Sequence, residues 1–276
     1  MPPPDAKAIN ALGRRLGRHD PPLADDVVLL GEVEARYVPA LEAVSAVVRN
    51  LLGDPPSFEG VQLTVASRPL KTVDTIIEKL RRERTRLSTM RDIAGIRIVG
   101  ENGLTRSQQD RLANRIAAQF PSSATTVDRR ATPTHGYKAL HLVVEVEGYP
   151  VEIQVRTDLQ HAWADGMERF GDIWGRQIRY GQPPNASTAG ELARRTQIIE
   201  DWKAWASAVE AFEIAWGILE AATEERDLLN AAASRGEEVP RAELDVGEER
   251  VRSAHAETRE LFNAVRVELD RIRGML

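Results

Sequence analysis

The chain has no cysteine, only 5% aromatic residues and no long apolar run. The lack of cysteine excludes disulfides, thiolate metal sites, iron–sulfur clusters and cysteine nucleophiles, and a reducing cytoplasm is the simplest location. The longest uncharged apolar runs, such as residues 43–48, are far shorter than the ~20 residues of a membrane span. Residues 1–5 lack the basic start and apolar stretch of a signal peptide. We therefore expect a cytoplasmic protein without a membrane association.

A surplus of positive charge is also missing, because the formal net charge is −5. The charge is nevertheless unevenly distributed along the chain. Residues 67–99 contain nine Lys or Arg against four Asp or Glu, a net charge of +5, whereas residues 207–276 contain nine against sixteen, a net charge of −7. A length of 276 residues with 42% hydrophobic and 29% charged residues is typical of a globular chain with one large domain, or of a catalytic domain with an appendage.

Hydrophobic periodicity predicts a helical start followed by a sheet. Apolar positions from Val27 to Leu51 recur at helical spacing, and Pro39 is expected to kink or split this segment. Beyond it, alternating or β-branched runs predict five strands, the last two joined by a turn at residues 148–150. The predicted strands lie near residues 61–65, 96–99, 125–130, 140–147 and 151–157.

Helical patterns lie between and after these strands. Thr72 is the predicted N-cap of a helix that runs toward Arg84, and residues 104–120 show a second helical pattern. Asp158 is predicted to cap the helix that contains His161. Two long patterns, at residues 191–233 and 241–275, predict an antiparallel helical hairpin. We therefore predict an α+β fold with a mixed five-stranded sheet, in three parts: residues 1–56, 57–182 and 188–276.

The first candidate cluster is a run of cations near the second predicted helix. Lys71, Thr75, Lys79 and Arg82 are spaced so that they would line one stripe of a helix. Fixed cations beside a cleft suit a polyanion such as a nucleoside triphosphate, and a solvated helix face is the alternative. The whole run comprises Arg68, Lys71, Lys79, Arg81, Arg82, Arg84 and Arg86.

Two further clusters involve carboxylates at predicted strands. Asp92 stands at the mouth of a buried strand, where a carboxylate is a usual Mg²⁺ ligand, and the sequence leaves open which face Arg97 occupies. Glu152, Gln154 and Arg156 alternate with apolar residues and must share one face of their strand. That face is either the solvent side of an edge strand or the floor of a polar site.

The fourth cluster is the segment from Thr134 to His141. Gly136 frees the backbone, Tyr137 can stack on a base, and Lys138 and His141 can bind phosphate. The alternative is a turn followed by a strand with an aromatic residue in the core.

Taken together, the four clusters resemble the synthetase domain of RelA/SpoT alarmone synthetases. The resemblance rests on Arg68, Lys71 and Lys79, on Asp-Ile-Ala-Gly-Ile-Arg at 92–97, on Gly-Tyr-Lys-Ala-Leu-His at 136–141 and on Val-Glu-Ile-Gln-Val-Arg-Thr at 151–157. It covers about residues 60–181. It implies a nucleotidyltransferase-like mixed sheet and an enzyme that transfers the β,γ-pyrophosphate of ATP to the 3′-hydroxyl of a guanosine nucleotide.

The resemblance also implies roles for individual residues. Asp92 and Glu152 would hold Mg²⁺, and Glu152 would help to deprotonate the attacking hydroxyl. The residues implied in binding the ATP phosphates are Arg68, Lys71, Lys79 and Arg97. Tyr137 would stack on the base of the pyrophosphate acceptor. The residues implied on the acceptor side are Tyr137, Lys138, His141, Gln154, Arg156 and His161.

Residues 159–165 and 178–181 are more similar to the toxic small members of this family. Several enzymes of that branch pyrophosphorylate the 3′-CCA end of tRNA, which stops translation, and a protein antitoxin usually restrains them. The resemblance therefore favours tRNA as the acceptor, with GTP, GDP or an adenosine nucleotide as alternatives. An inactive nucleotide- or RNA-binding module is the alternative from another class. The C-terminal helices would pack on the core, form a homo-oligomer or bind an antitoxin. The implied tRNA contacts are Arg81, Arg82, Arg84, Arg86, Arg129 and Arg130.

Overall fold

A computed structural model describes residues 5–68, 70–101 and 103–273 of the protein. The expectations for residues 1–4, and the predicted end of the last helix at residue 275, lie outside the described residues. The described chain divides into two compact units. One contains the described residues within 1–104, 109–131 and 139–156, and the other those within 105–108, 132–138 and 157–276. The predicted core of residues 57–182 thus contributes to both units.

The first unit contains a mixed sheet flanked by helices, which confirms the predicted α+β fold. Its six strands have the order β1-β2-β3-β6-β5-β4, and β3 and β6 are the parallel pair. The expectation of five strands was wrong by one, because β1 has two residues and is too short to show an alternating pattern. The strands are β1 (Ser57–Phe58), β2 (Val61–Arg68), β3 (Ala94–Gly100), β4 (Thr125–Asp128), β5 (Leu140–Val146) and β6 (Tyr149–Arg156).

The β5–β6 hairpin closes with a tighter turn than the sequence pattern suggested. Val146 pairs with Tyr149, so the turn consists of Glu147 and Gly148, with φ values of +52° and +82°. Two consecutive residues with positive φ are typical of the two-residue turns whose twist matches the strands. The predicted turn at residues 148–150 was therefore wrong, since Tyr149 and Pro150 belong to β6.

The helices of the first unit cover the buried side of the sheet. The predicted long first segment is split at Arg36, and Pro39 lies in the first turn of the second piece. A proline is tolerated there because the N–H groups of the first turn have no partner within the helix. The split is confirmed. The helices are α1 (Ala6–Arg18), α2 (Ala24–Ala35), α3 (Tyr37–Leu52), α4 (Val73–Glu83) and α5 (Arg106–Ala117), whose first three residues belong to the second unit.

The second unit is built on α6 (Asp158–Trp174), α7 (Ala189–Ser234) and α8 (Arg241–Arg273). Trp205 donates a hydrogen bond to the carbonyl of Val265 (3.0 Å), and Arg250 pairs with Glu225 at 3.0 Å. Contacts between earlier residues of α7 and later residues of α8 require antiparallel helices, so the predicted hairpin is confirmed. None of the helices in the described part of the chain is long and apolar enough to span a membrane.

Helix α6 begins one residue earlier than its predicted cap implies. Thr157, not Asp158, is the N-cap, and its hydroxyl accepts a hydrogen bond from the backbone N–H of Gln160 at 3.1 Å. The Gln160 side chain in turn accepts from the Thr157 N–H, which completes a capping box. The predicted cap at Asp158 was therefore wrong, because the reciprocal pair lies at positions 157 and 160.

Candidate active site

The first group of candidate residues surrounds Asp92, in the loop before β3. Lys71 Nζ lies 2.6 Å and Lys79 Nζ 2.9 Å from Asp92 Oδ2. The backbone N–H of Lys71 donates to the Ile93 carbonyl (2.8 Å), which fixes Lys71 beside the carboxylate. Since α4 starts at Val73, the predicted helical stripe was wrong to include Lys71. The two lysines meet at one carboxylate oxygen from different elements.

The lysines control the ionisation of Asp92. Burial alone raises the pKa of Asp92, but the two ammonium groups outweigh it and lower the pKa to about 2. Asp92 is therefore ionised at neutral pH. Its other oxygen, Oδ1, is buried and has no hydrogen-bond partner among the described residues. An unpartnered carboxylate oxygen beside fixed cations suits a hard cation such as Mg²⁺.

The second group is a chain of polar contacts on one face of β6. His141 Nδ1 lies 2.7 Å from Glu152 Oε1, and the Gln154 amide donates to Glu152 Oε2 at 2.6 Å. Arg156 donates to Gln154 Oε1 at 2.9 Å. The shared face of Glu152, Gln154 and Arg156 is confirmed. Because β6 lies between β3 and β5, this row is inside the sheet and not on an exposed edge.

Glu152 is buried, yet its pKa is below the usual value, so its carboxylate is ionised at neutral pH. Burial raises its pKa, but the hydrogen bond and charge of His141 lower it below the usual value, while the nearby charge of Asp92 raises it. The two carboxylates are thus close enough to affect each other. Each Glu152 oxygen keeps a second lone pair, so Asp92 and Glu152 fit a shared Mg²⁺. In the described ranges no group of three or more His, Cys, Asp or Glu side chains is placed to hold a metal ion, so these two carboxylates would be its protein ligands.

Strand register answers the question that the sequence left open for Arg97. Arg68 lies opposite Gly95, and Gly95 lies opposite Glu152. Arg97 lies opposite Gln154 in the next row. Directly paired residues point to the same face of a sheet, so both arginines stand on the face that carries Glu152. Gly95, which lies between Arg68 and Glu152, places no side chain on this face. A Cβ there would lie only 3.0 Å from the Glu152 carbonyl oxygen, so the close approach of the two strands favours glycine.

The third group lies in the second unit, in the segment of residues 132–138, here called the Gly136 loop. Gly136 has a φ of +87°, and a Cβ at this position would lie 2.9 Å from the Trp163 ring. The loop closes through a hydrogen bond from the Tyr137 N–H to the Thr134 carbonyl (3.1 Å). The structure therefore requires glycine at position 136, both for the backbone conformation and for the approach to Trp163.

Tyr137 lines a cavity of about 140 Å³. Trp163 provides a second aromatic wall, and the Glu168 and Arg179 side chains add one charge of each sign. Two aromatic rings and a few polar groups suit a flat heterocycle. His161, in the first turn of α6, is partly exposed.

Lys138 has a different environment from the one expected. Its side chain is 7% exposed, and Nζ lies 2.7 Å from Glu210 Oε2 and 3.3 Å from the Ala206 carbonyl oxygen. The ammonium group is thus directed to α7, 72 residues further along the chain. Sequence reasoning missed Glu210, since no local pattern indicates so distant a partner.

Three of the six arginines predicted to contact tRNA are engaged within the protein. Arg130 is buried, and its guanidinium pairs with Asp128 (2.8 Å) and Asp110, so it is not the surface cation that the sequence suggested. Arg81 bonds to the His19 carbonyl and Asp20, and Arg82 bonds to Glu78 and Glu83. Arg81 and Arg129 are partly exposed, and Arg82, Arg84 and Arg86 are exposed.

The sequence of this protein is similar to one known protein family and to proteins from two mycobacteria. Residues 68–170 match the model of a family described as a region found in RelA / SpoT proteins. Two uncharacterized proteins, from Mycobacterium tuberculosis and Mycobacterium bovis, are each 39% identical over 143 residues, which cover 51% of this chain and 51% of the relative. The chain therefore spans about half the length of the curated relatives it matches.

Solved structures of small alarmone synthetase 1 from Bacillus subtilis are also similar. One covers 65% of this chain and 93% of that chain, with 25% identity and a TM-score of 0.44. Another, bound to its product pppGpp, covers 63% and 89%, with 26% identity and a TM-score of 0.43. The segment that matches RelA / SpoT proteins thus contains Asp92, Glu152 and the Gly136 loop.

Proposed function

We propose that this protein is an ATP-dependent pyrophosphokinase, which transfers the β,γ-pyrophosphate of ATP to a ribose 3′-hydroxyl. The observation that carries the proposal is the meeting of Lys71 and Lys79 at Asp92, which leaves one buried carboxylate oxygen unpartnered. The match of residues 68–170 to RelA / SpoT proteins supports it. Pyrophosphoryl transfer depends on charge neutralisation and on in-line positioning more than on covalent catalysis, and this cluster can provide both.

The donor side of the reaction uses the residues around Asp92. Asp92 and Glu152 would hold Mg²⁺, which neutralises the phosphate charge when it is bound. Lys71 and Lys79 keep Asp92 ionised and can extend their remaining N–H donors to the ATP phosphates. Arg68 stands on the same face of the sheet as Glu152, as its register shows. With Arg97 in the next row, it gives this face two further phosphate-binding cations.

The acceptor hydroxyl needs a group that takes its proton, and we assign this role to Glu152. His141 and Gln154 each hold one of its oxygens, so the carboxylate has a fixed orientation. A carboxylate held in this way needs little reorganisation during the reaction. Tyr137 would stack on the base of the acceptor nucleotide, against the cavity that Trp163 also lines.

For the acceptor we propose the 3′-CCA end of tRNA, so that the protein would act as a translation-inhibiting toxin. The similarity of residues 159–165 and 178–181 to the toxic branch supports this choice. A specific observation favours the alternative, alarmone synthesis from GTP or GDP. Arg81, Arg82 and Arg130 are engaged within the protein, which leaves less free positive charge for an acceptor stem than the sequence suggested.

The test is to incubate the protein with Mg²⁺ and ATP labelled at the γ-phosphate, and to offer GDP, GTP, AMP, ADP and deacylated tRNA separately. We expect label on tRNA, lost when the 3′-terminal adenosine is removed, and no transfer by Asp92→Asn. Label on guanosine or adenosine nucleotides alone would refute the tRNA acceptor and keep the pyrophosphokinase. Nucleotide binding without any transfer would refute the enzyme and indicate an inactive binding module.

A further inference from the structure

One face of α7 carries three glutamates that accept hydrogen bonds from segments far away in the sequence. Glu210, Glu213 and Glu220, here called the acidic stripe, are three and seven residues apart and therefore lie on one side of the helix. Carboxylate oxygens accept hydrogen bonds, which suits these side chains to binding the N–H and O–H groups of other segments. All three belong to the second unit, as do the segments that they bind.

Glu213 binds the start of α6. It is only 6% exposed, and it accepts from the Thr157 hydroxyl at 2.6 Å and from the Gln160 amide at 3.0 Å to each oxygen. These two donors are the members of the α6 capping box. At the next position of the stripe, Glu220 accepts from the Thr105 hydroxyl at 3.2 Å and from Ser107. The stripe thus binds the start of α6 and, at Thr105 and Ser107, the short segment before and at the start of α5 that belongs to the second unit.

Glu210 binds the Gly136 loop. The ion pair with Lys138 is shielded on the lysine side, where 7% of the side chain is exposed, and the Ala206 carbonyl accepts a further bond. A buried ammonium group without a partner is costly, so Lys138 stays with Glu210. Two of the three donors of Lys138 are thereby used within α7.

The loop is also attached to α7 through Trp163. Gly136 packs closely against the Trp163 ring. The Trp163 indole donates to the Trp202 carbonyl, and the Trp202 indole donates to the Trp163 carbonyl, both at 3.0 Å. Tyr137 stands between Gly136, which packs on Trp163 of α6, and Lys138, which binds α7 directly, so the chain is held on both sides of it.

We propose that Lys138 and Glu210 form a latch that positions Tyr137 for the pyrophosphate acceptor. In this role Lys138 acts through Glu210 and does not contact the acceptor phosphates, in contrast to the phosphate binding that the sequence of the segment suggested. Both are positioning residues. Helix α7 lies entirely beyond the matched segment of residues 68–170, so the elements that set acceptor binding extend outside that segment. The inference rests on the proposed function.

The kinetic test is a double-mutant cycle on the latch. Glu210→Gln and Lys138→Met each leave one charged partner uncompensated, whereas the double variant, which combines Glu210→Gln with Lys138→Met, leaves no unpaired charge. We expect each single variant to raise the KM of the acceptor about tenfold with the KM of ATP unchanged. The double variant should raise the KM of the acceptor by a smaller factor than the product of the factors measured for the two single variants. Glu224→Gln, an exposed glutamate on the same helix, is the matched control.

Each outcome of this cycle decides between the two roles of Lys138. The acceptors offered are GDP, GTP and deacylated tRNA. If Lys138→Met raises the acceptor KM while Glu210→Gln does not, Lys138 contacts the acceptor directly and the latch is overturned. Independent, multiplicative effects in the double variant would overturn it as well.

A second readout keeps the latch testable without any activity. Hydrogen–deuterium exchange of the amides in residues 134–138 is compared for the wild type, Glu210→Gln and the Glu224→Gln control. We expect exchange in Glu210→Gln to be about tenfold faster in this segment, because the loop loses one of its two attachments to α7. Unchanged exchange would overturn the latch. If Glu210→Gln exchanges faster than the wild type but the wild type transfers no pyrophosphate, the proposed function is refuted and the attachment of the loop to α7 is not.

Discussion

The Asp92 cluster and the Gly136 loop are held in place by contacts of very different range. The partners of Asp92, Lys71 and Lys79, are 21 and 13 residues away in the sequence. Lys138 in the loop meets a partner 72 residues away, and the Trp163–Trp202 pair spans 39 residues. The first region is organised by one loop, one helix and the strands beside them, whereas the second depends on a long helix that follows later in the chain.

This difference separates two properties of the proposed enzyme. The charges around Asp92 are preset by neighbouring elements of the sheet unit, so ATP binding and charge stabilisation should tolerate changes in α7. The shape of the Gly136 loop depends on Trp163 and on the acidic stripe, so acceptor binding should not tolerate them. Variants of the two regions are therefore expected to affect different kinetic constants.

The largest effect is expected for Asp92→Asn, which removes the charge that Lys71 and Lys79 neutralise. Loss of a preorganised charge at the reacting phosphates should reduce pyrophosphate transfer at least about 10³-fold. Single-turnover transfer from labelled ATP measures the effect. Asp74→Asn, at an exposed position in the first turn of α4, is the matched control. Normal turnover by Asp92→Asn would refute the assignment of Asp92 to the ATP-binding site.

Gly136→Ala should distort the backbone of the Gly136 loop without changing the contacts of Asp92. A Cβ at a φ of +87° is strained, and it would meet the Trp163 ring at 2.9 Å. We expect the KM of the acceptor to rise about 30-fold with the KM of ATP unchanged. Gly190→Ala is the control, since a Cβ there would meet no described residue within 4 Å apart from its own turn of helix. An equal rise in both constants would contradict the separation of the two regions.

Tyr137→Ala tests the aromatic wall of the loop cavity. Stacking on a base contributes about 1–3 kcal/mol, which corresponds to a rise of roughly 5- to 150-fold in the KM of the acceptor. Tyr137→Phe keeps the ring and should stay within about twofold of the wild type. Steady-state kinetics with each acceptor measures both variants. Equal losses for ATP and acceptor would refute base stacking.

The last prediction concerns the free energy of unfolding, to which the ionised Asp92 contributes. Its pKa falls from 3.8 to about 2 on folding, so its ionised form contributes about 2 kcal/mol at most. A lowered pKa means that this contribution is complete above pH 3.8 and is lost as the pH falls through about 2. Urea unfolding of the wild type and of Asp92→Asn should show a constant difference from pH 5 to 8 that shrinks below pH 4. A difference that persists at pH 2 would contradict the ion pairs.

Local patterns in the sequence were sufficient for most of the fold and for the shared face of the polar residues on β6. Alternation placed Glu152, Gln154 and Arg156 on one face, because strand periodicity is a property of neighbouring residues. The two-residue strand β1 and the true turn at Glu147–Gly148 were missed, since neither is long enough to form a pattern. The face of Arg97 required the register between β3 and β6.

The sequence by itself determined the α+β fold, the helical hairpin of α7 and α8 and the position of Asp92 at the start of a buried strand. Each follows from periodicity or from a motif within a few residues. Only the tertiary structure decided which cations are free. Arg130 is buried among carboxylates, and Lys138 faces Glu210. The partner of a charged side chain is set by contacts through space, because burial makes an unpaired charge too costly and the nearest opposite charge can come from any part of the chain.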